Sequence, residues 1–420
     1  MSSSYRSVPA VHAAGTEAVR EDISRKCAVH RGLMAGSVLA LAMSMASGPG
    51  AISAQEAPDD RSTPSGPEQQ ELWSSAGPEG HAPMGVMGDH THSRGEWMVS
   101  YIYTHMAMSG LQDGRESLDV DDVWPQYRMV PKDMTMDMHM GHLMYAPTDR
   151  LTLMGMFMYM DHTMDARMED ELMDHHGHGH GHEAAWDRAR HPGTGLDEGH
   201  DDDHDHGSHH THAHGSSGLA DTEVGALYTI FDRSRQRVHL NASVSIPTGT
   251  TTADDPTMVE EHRRLPYPMQ LGSGTWDVLP GVTYLGQSNR LGWGAQAMGT
   301  FRLGTNGEGY RLGHGVRSTA WGLLRGHDWL APALRAEVEH RGAVDGTDPL
   351  LDPEVSPGAD PSAHGGTRLR AFAGLNFIVP RGSLAGHRLA VEWGGPVLES
   401  LNGPQMSEDW RVDVGWEYAF

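Results

Sequence analysis

The chain is nearly free of cysteine: Cys27 is the single one in 420 residues. It falls within an N-terminal leader, so the rest of the chain has no thiol, which excludes disulfide staples, thiolate metal sites and cysteine nucleophiles. Cys27 also lacks the small-residue context of a lipid-attachment site. Long apolar runs are missing too. The longest, from Leu33 to Ala46, is interrupted by Gly36, Ser37 and Ser44 and falls short of the roughly 18–20 residues of a spanning helix. That absence leaves a membrane β-barrel open, because only alternate residues of a barrel strand face lipid. Positive charge is scarce as well. A formal net charge of −25, with acids concentrated between Asp113 and Asp205, argues against nucleic acid as a partner and in favour of cations. There is no Walker-type glycine-rich loop, no plug domain of the kind found in large active transporters, and no His-Glu-x-x-His motif for hydrolysis.

The first fifty-odd residues carry an export signal. Arg20, Arg25, Lys26 and Arg31 precede the apolar stretch, and small residues follow it up to Ala54. These are the parts of a secretory signal peptide, with cleavage expected after Ala54. The charged leader before Arg25 is longer than usual, which moves the expected translation start downstream. Residues 1–54 are therefore read as leader. Residues 55–93, rich in proline, glycine and serine, are read as a flexible periplasmic segment, and 94–420 as the folded domain.

From Gly95 onward the pattern is strand and turn. Val238, Leu240, Ala242, Val244 and Ile246 alternate with His239, Asn241, Ser243 and Ser245, the period of two of a half-buried strand. Similar segments at 96–108, 134–145, 151–160, 221–230, 274–285, 292–303, 314–324, 330–340, 368–379, 387–393 and 409–420 make twelve strands in all. Short links, such as the proline- and aspartate-bearing turn Ala146–Arg150, alternate with longer connections at 109–133, 161–220, 247–273, 304–313, 341–367 and 394–408. Short periplasmic turns and long outer loops are what a transmembrane antiparallel β-barrel with both termini in the periplasm requires; a soluble sandwich has no reason for them. The expected location is the bacterial outer membrane, with its lipid as a partner. Val412, Val414, Trp416, Tyr418 and Phe420 share one face of the last strand, placing Trp416 and Tyr418 at a periplasmic aromatic girdle. A final aromatic strand also resembles the signal read by the barrel assembly machinery. Two features fit this scheme less smoothly. Pro280 and Pro332 lie inside expected strands, and Asp137 and His139 fall on the lipid side of the second strand.

Tyr145-Ala-Pro-Thr-Asp-Arg-Leu-Thr-Leu153, followed by Ser245-Ile-Pro-Thr-Gly249 at a strand end, resembles the outer-membrane barrels grouped as "MetA pathway of phenol degradation" transporters. The resemblance spans Gly95 to Phe420. It implies a barrel that passes small molecules and supplies no catalytic residues.

Methionine is concentrated locally: of 26 in the chain, 18 lie between Met84 and Met173. Met134, Met136, Met138, Met140, His142 and Met144 share one face of the second strand, and Met154, Met156, Met158 and Met160 one face of the third. Met98, Met106 and Met108 add to them from the first strand. Because Leu151, Leu153, Phe157 and Tyr159 make the better lipid face, the thioethers are expected to point inward. Soft thioethers select Cu(I), and by the same logic Ag(I), over hard cations, and a ladder of weak sites suits conduction. The same rows would equally serve as adaptable apolar filling, or as a greasy path for small hydrophobic solutes. Elsewhere the inner face is polar, with Arg302, Arg335, Glu337, Arg368, Arg370, Asn376, Arg388, Glu392 and Arg411.

The connection 161–220 holds a histidine tract: His175, His176, His178, His180, His182, His191 and His200, then His204, His206, His209, His210, His212 and His214, among glycine and aspartate. Neutral imidazole with carboxylate suits Zn(II), Cu(II) and Ni(II), although the spacing is not that of a closed structural zinc site. The leading expectation is an outer-membrane channel that handles copper or another soft or borderline metal ion and requires no cofactor. The alternatives are a transporter of small hydrophobic or aromatic compounds, or a surface barrel that binds metal without transporting it. A lipid-hydrolase reading would need Ser243 and His239 on the outer wall, whereas the alternation puts both in the lumen without a third member.

Overall fold

The computed structural model describes residues 73–169, 172 and 209–420. Its strands are β1 (Trp97–Gly114), β2 (Met129–Thr148), β3 (Leu151–Glu169) and β4 in two pieces (His209–Leu219 and Thr222–Arg233). They continue as β5 (Gln236–Ile246), β6 (Trp276–Gln287), β7 (Leu291–Leu303), β8 (Gly315–Leu324), β9 (Leu330–Arg341) and β10 (Gly366–Ile378). The last stretch, His387–Ala419, is a hairpin. Residues 388–401 pair antiparallel with β10, and 401–419 pair antiparallel with β1. The reversal passes through Gly403 at φ +77°, and Arg388 meets Glu417 across the two legs at 2.5 Å. With these legs as β11 (387–401) and β12 (405–419), each strand pairs with its sequence neighbours and β12 closes on β1. The result is the expected twelve-stranded antiparallel barrel. Closure removes the edges of the barrel sheet, which lipid enforces because an unpaired backbone group in hydrocarbon costs several kcal/mol; the short strands Glu116–Leu118, Tyr310–Arg311 and Asp345–Gly346 stand outside the barrel.

Alternation sorts the side chains as the sequence implies. Leu143, Leu153, Phe157, Leu240 and Trp393 are exposed on the outer face, while Ser100, His239, Asn241 and Glu392 are buried inside. Near the periplasmic rim Trp97 packs on Tyr145 with ring centroids 4.5 Å apart, and Tyr418 stacks on Phe420 at 5.3 Å. The two prolines are tolerated for local reasons. The β6–β7 ladder keeps its register but lacks rungs at Leu279 and Pro280. Pro332 lies past the last β8–β9 rung, at Leu323 and Ala333. No register slip occurs around Asp137 and His139. From Trp97 to His105 the strand climbs roughly 20 Å at ~3.3 Å per residue and the usual barrel tilt, which reaches the upper edge of an apolar band about 25 Å tall. There Asp137 accepts hydrogen bonds from Tyr103 at 2.5 Å and His105 at 2.7 Å, and Tyr101 bonds His139 at 2.7 Å.

Three expectations need correction. The connection 394–408 is not a long loop, because β11 and β12 extend through it to a tight turn. The connection 161–220 is shorter than expected, since β3 runs on to Glu169 and β4 resumes at His209, pairing Glu169 with His209 and Met164 with His214. The polar periods there are still strand periods, carried above the membrane. Finally, the segment 55–93 is not a free periplasmic tail over its described part. From Trp73 onward it runs inside the barrel, because its backbone finds partners on the inner faces of β5, β7, β10 and β11.

The outer mouth is capped. Met258, Leu265 and Met269 of the 247–275 connection and Val355 of the 342–365 connection pack with Met129, Met134, Met164 and Met168. Beside them His364 donates its Nε2 proton to the Gly358 carbonyl at 3.1 Å, and burial lowers its pKa from 6.5 to about 4. The released loop would take up a proton near 6.5. The contribution of His364 to the cap is therefore complete above that pH and lost as pH falls toward 4. Limited proteolysis in the 342–365 connection is expected to accelerate between pH 7 and pH 4.5, and His364→Gln to flatten that dependence. Equal protection of the wild type at both pH values would contradict this.

Candidate functional site

The inward face of β1–β3 is a wall of thioethers. In register across the three strands stand Met98, Met144 and Met154, then Ile102, Met140 and Met158, then Thr104, Met138 and Met160. Higher up come Met106 and Met136 beside His162, then Met108, Met134 and Met164. His142 and Met156 face each other between the lower rows. Strand alternation places these side chains on one face, and direct cross-strand pairing brings them to the ~4.5–5.5 Å spacing at which neighbours touch. All ten expected wall residues of β2 and β3 are buried or half-buried, whereas Leu143, Leu153, Phe157 and Tyr159 face outward. The column is continued by residues the periodicity did not single out: Met258 and Met269 from an outer loop, and Met84 and Met87 from the N-terminal segment.

That segment fills the lumen. Near the periplasmic end Glu79 is paired with Arg325, whose Nε donates at 2.8 Å, and Gln287 donates to the Ser74 carbonyl at 3.0 Å. Trp73, Ala82 and Val86 pack on Leu285, Trp321, Leu323 and Ala333. Further along, the Gly85 N–H donates to Glu392 at 3.0 Å. The Gly88 carbonyl accepts from His239 at 3.0 Å and Asn241 at 2.9 Å, and Gln296 donates to the Met87 carbonyl at 2.9 Å. Gly88 has φ +60°, and a Cβ there would lie 3.0 Å from the Asn241 amide, so this close turn requires glycine. The chain leaves the lumen where the His92 N–H donates to Thr152 at 3.0 Å and the Arg94 N–H to Asp149 at 2.9 Å. His239, considered above with Ser243 for hydrolysis, is thus a buried plug contact.

The wall beside the methionines, from β9 to β12, is ionic. Arg370 reaches Glu408 at 2.5 Å, Glu339 at 2.7 Å and Glu337 at 3.1 Å. Arg335 bonds Glu337 at 2.6 Å and Glu392 at 2.8 Å, and its guanidinium lies 3.9 Å from the centre of the Phe372 ring. The inner arginines expected from alternation are thus present, and Arg335 and Arg370 are each paired with at least two carboxylates.

The histidine tract divides. His175, His176, His178, His180, His182, His204 and His206 lie outside the described residues. His209, His210, His212 and His214 belong to β4, not to a loop. His214 is buried and bonds Asp255 at 2.5 Å, so it ties the outer cap to the wall.

No family model matches the chain, and no curated protein matches it. Among solved structures, the COG4313 outer membrane channel from Pseudomonas putida F1 is similar at 14% identity with a TM-score of 0.50, covering 80% of this chain and 99% of that one. The Ralstonia pickettii toluene transporter TbuX is similar at 10% identity and a TM-score of 0.38, covering 82% and 98%. A Pseudomonas aeruginosa FadL homologue stands at 10% and 0.36, covering 77% and 90%. The first likeness is one of fold, and it agrees with the resemblance carried by the two short motifs. The chain is an outer-membrane β-barrel that resembles the phenol-degradation transporter family.

Proposed function

We propose that this barrel is a gated outer-membrane channel in which small hydrophobic solutes, aromatic compounds among them, move along the methionine wall once the 73–94 segment yields. The observation that carries this reading is the continuity of the wall, from Met98, Met144 and Met154 at one end to Met164, Met258 and Met269 under the outer cap. Thioether side chains are apolar, polarizable and flexible, and they favour aromatic contacts, so they give an apolar solute a path that no single tight site interrupts. A second reading, passage of Cu(I) or Ag(I), is favoured by methionines paired directly across strands, such as Met140 with Met158 and Met144 with Met154. In that reading the outer histidines would collect Cu(II), Zn(II) or Ni(II) at the mouth. A barrel that binds metal at its surface without transport would keep the same histidines and show no flux.

One variant separates the two transport readings. Replacing Met154, Met156, Met158 and Met160 together by leucine removes four sulfurs and keeps apolar bulk, at a cost of under ~1.5 kcal/mol per site. In proteoliposomes the hydrophobic pathway predicts that toluene entry persists within about twofold, since the transfer free energies of the two side chains are similar. The soft-metal pathway predicts that Ag(I) entry falls at least tenfold, because ligand and not bulk is lost. Absence of both fluxes in the wild type and in a plug-released variant would leave only the surface binder.

A further inference from the structure

We propose that His81, Asp89 and His90 form a binding site for a borderline divalent cation such as Zn(II) or Cu(II) within the lumenal plug, and that the bound ion locks the plug in place. One ligand atom from each residue lies within 4.8 Å of the others. Two imidazoles and a carboxylate are the donor set of an open zinc site, with a fourth position left for water or another side chain. Contraction to metal–ligand distances of about 2.0–2.1 Å asks for shifts of roughly an ångström.

The surroundings hold these groups in place, beside the Arg388 guanidinium, which donates to the Ala82 carbonyl. The Asp89 carboxylate is oriented by the His90 Nδ1 at 2.7 Å and by the Ala82 N–H at 2.9 Å. The His81 and His90 rings meet edge-on at 4.9 Å, and His92 adds a third ring 4.8 Å from His90. Asp89, His90 and His92 are buried. The His81 Nδ1 and His92 Nε2 atoms are buried without a hydrogen-bond partner, a state that folded proteins rarely leave unanswered. His81 and Asp89 also bracket the turn that carries Met84, Met87 and Gly88. An ion held between them would close this stretch into a loop and fix the backbone groups that contact β5, β7 and β11. Asp89 lies beside Met98, His142 and Met144 of the methionine wall, but the ligands are not those of the wall, and the site requires no particular transported solute.

The test uses the full-length refolded chain with the histidines at 175–206 replaced by glutamine, which removes imidazoles of the histidine tract that would bind metal regardless. Co(II) serves as the optical probe. One equivalent is expected to give intense visible bands of tetrahedral type that Zn(II) displaces. His81→Gln and His90→Gln should each weaken this binding at least tenfold while the heat-modifiable barrel band on gels shows that the fold is kept. EDTA should raise protease cleavage within 73–94 in the parent and leave His81→Gln, already susceptible, unchanged. Failure of the parent to bind Co(II), or equal binding by parent and both variants, overturns the site. Binding without any EDTA effect on cleavage overturns the lock.

Discussion

Deletion of residues 73–94 is expected to turn an electrically quiet barrel into a steadily open pore in planar bilayers. Eight strands make a barrel that side chains alone fill, and sixteen leave an aqueous channel. Twelve strands lie between these limits, so closure here depends on what occupies the lumen. The occupant is one irregular segment, held by a hydrogen bond to Glu392, by hydrogen bonds from His239, Asn241 and Gln296, and by the Glu79–Arg325 pair. Those inner side chains are polar, so water can replace the segment there, while Leu285, Trp321, Leu323 and Ala333 lose apolar contacts; the barrel should survive its loss with lowered stability. A milder variant, Glu79→Gln with Arg325→Gln, removes the ionic latch and should give intermittent openings. A deleted barrel that is folded, as read by heat modifiability, but still silent would show that the methionine-lined cap closes the lumen and the segment does not.

Replacing Arg370 by methionine should produce the largest loss of stability of any single substitution in the barrel wall. Arg370 is 4% exposed and is the shared partner of Glu337, Glu339 and Glu408. Removing it strips the three carboxylates of the cation they share and leaves Glu337, Glu339 and Glu408 with Arg335, Arg341 and Arg368 alone. Breaking a buried pair from one side costs about 3–5 kcal/mol, which should appear as a lower urea midpoint for the heat-modifiable band. Arg370→Lys should recover only part of this, since an ammonium cannot make the two-pronged contact with Glu408. Combining Arg370→Met with Glu408→Gln should lose less than the two single losses summed, because the second change removes a charge the first has stranded. A loss below ~1 kcal/mol for Arg370→Met would mean that water already solvates these carboxylates.

Much of the site was legible because strand geometry has a period of two. Once Leu151, Leu153, Phe157 and Tyr159 are assigned to lipid, Met154, Met156, Met158 and Met160 have nowhere to go but inward. The same logic places Arg335, Glu337 and Arg370 in the lumen. The fate of residues 73–94 was not legible, because Pro78-Glu-Gly-His and Met84-Gly-Val-Met-Gly have no period and read as loop. An irregular segment shows its destination only through its partners, and these stand up to 307 positions away, as between Gly85 and Glu392. His81, Asp89 and His90 were missed for the same reason. Three metal-competent residues at uneven spacing match no motif, and they converge only after the backbone turns at Gly88. The histidine tract misled in the other direction. Its bias toward glycine and aspartate suggested a loop throughout, yet His209–His214 pair with β3 because that strand continues above the membrane.

The sequence by itself determined the architecture: the alternation, the aromatic final strand and the alternating short and long connections leave a twelve-stranded outer-membrane barrel, since lipid tolerates no unpaired backbone. It also determined which wall would be soft and which charged, because both follow from local register. Only the tertiary structure decided that the barrel is closed. It does so with a segment of its own N-terminal region, held by hydrogen bonds to strands far along the chain, and with outer loops folded onto the methionine column. Those contacts depend on which surfaces meet in space, and no local period encodes that.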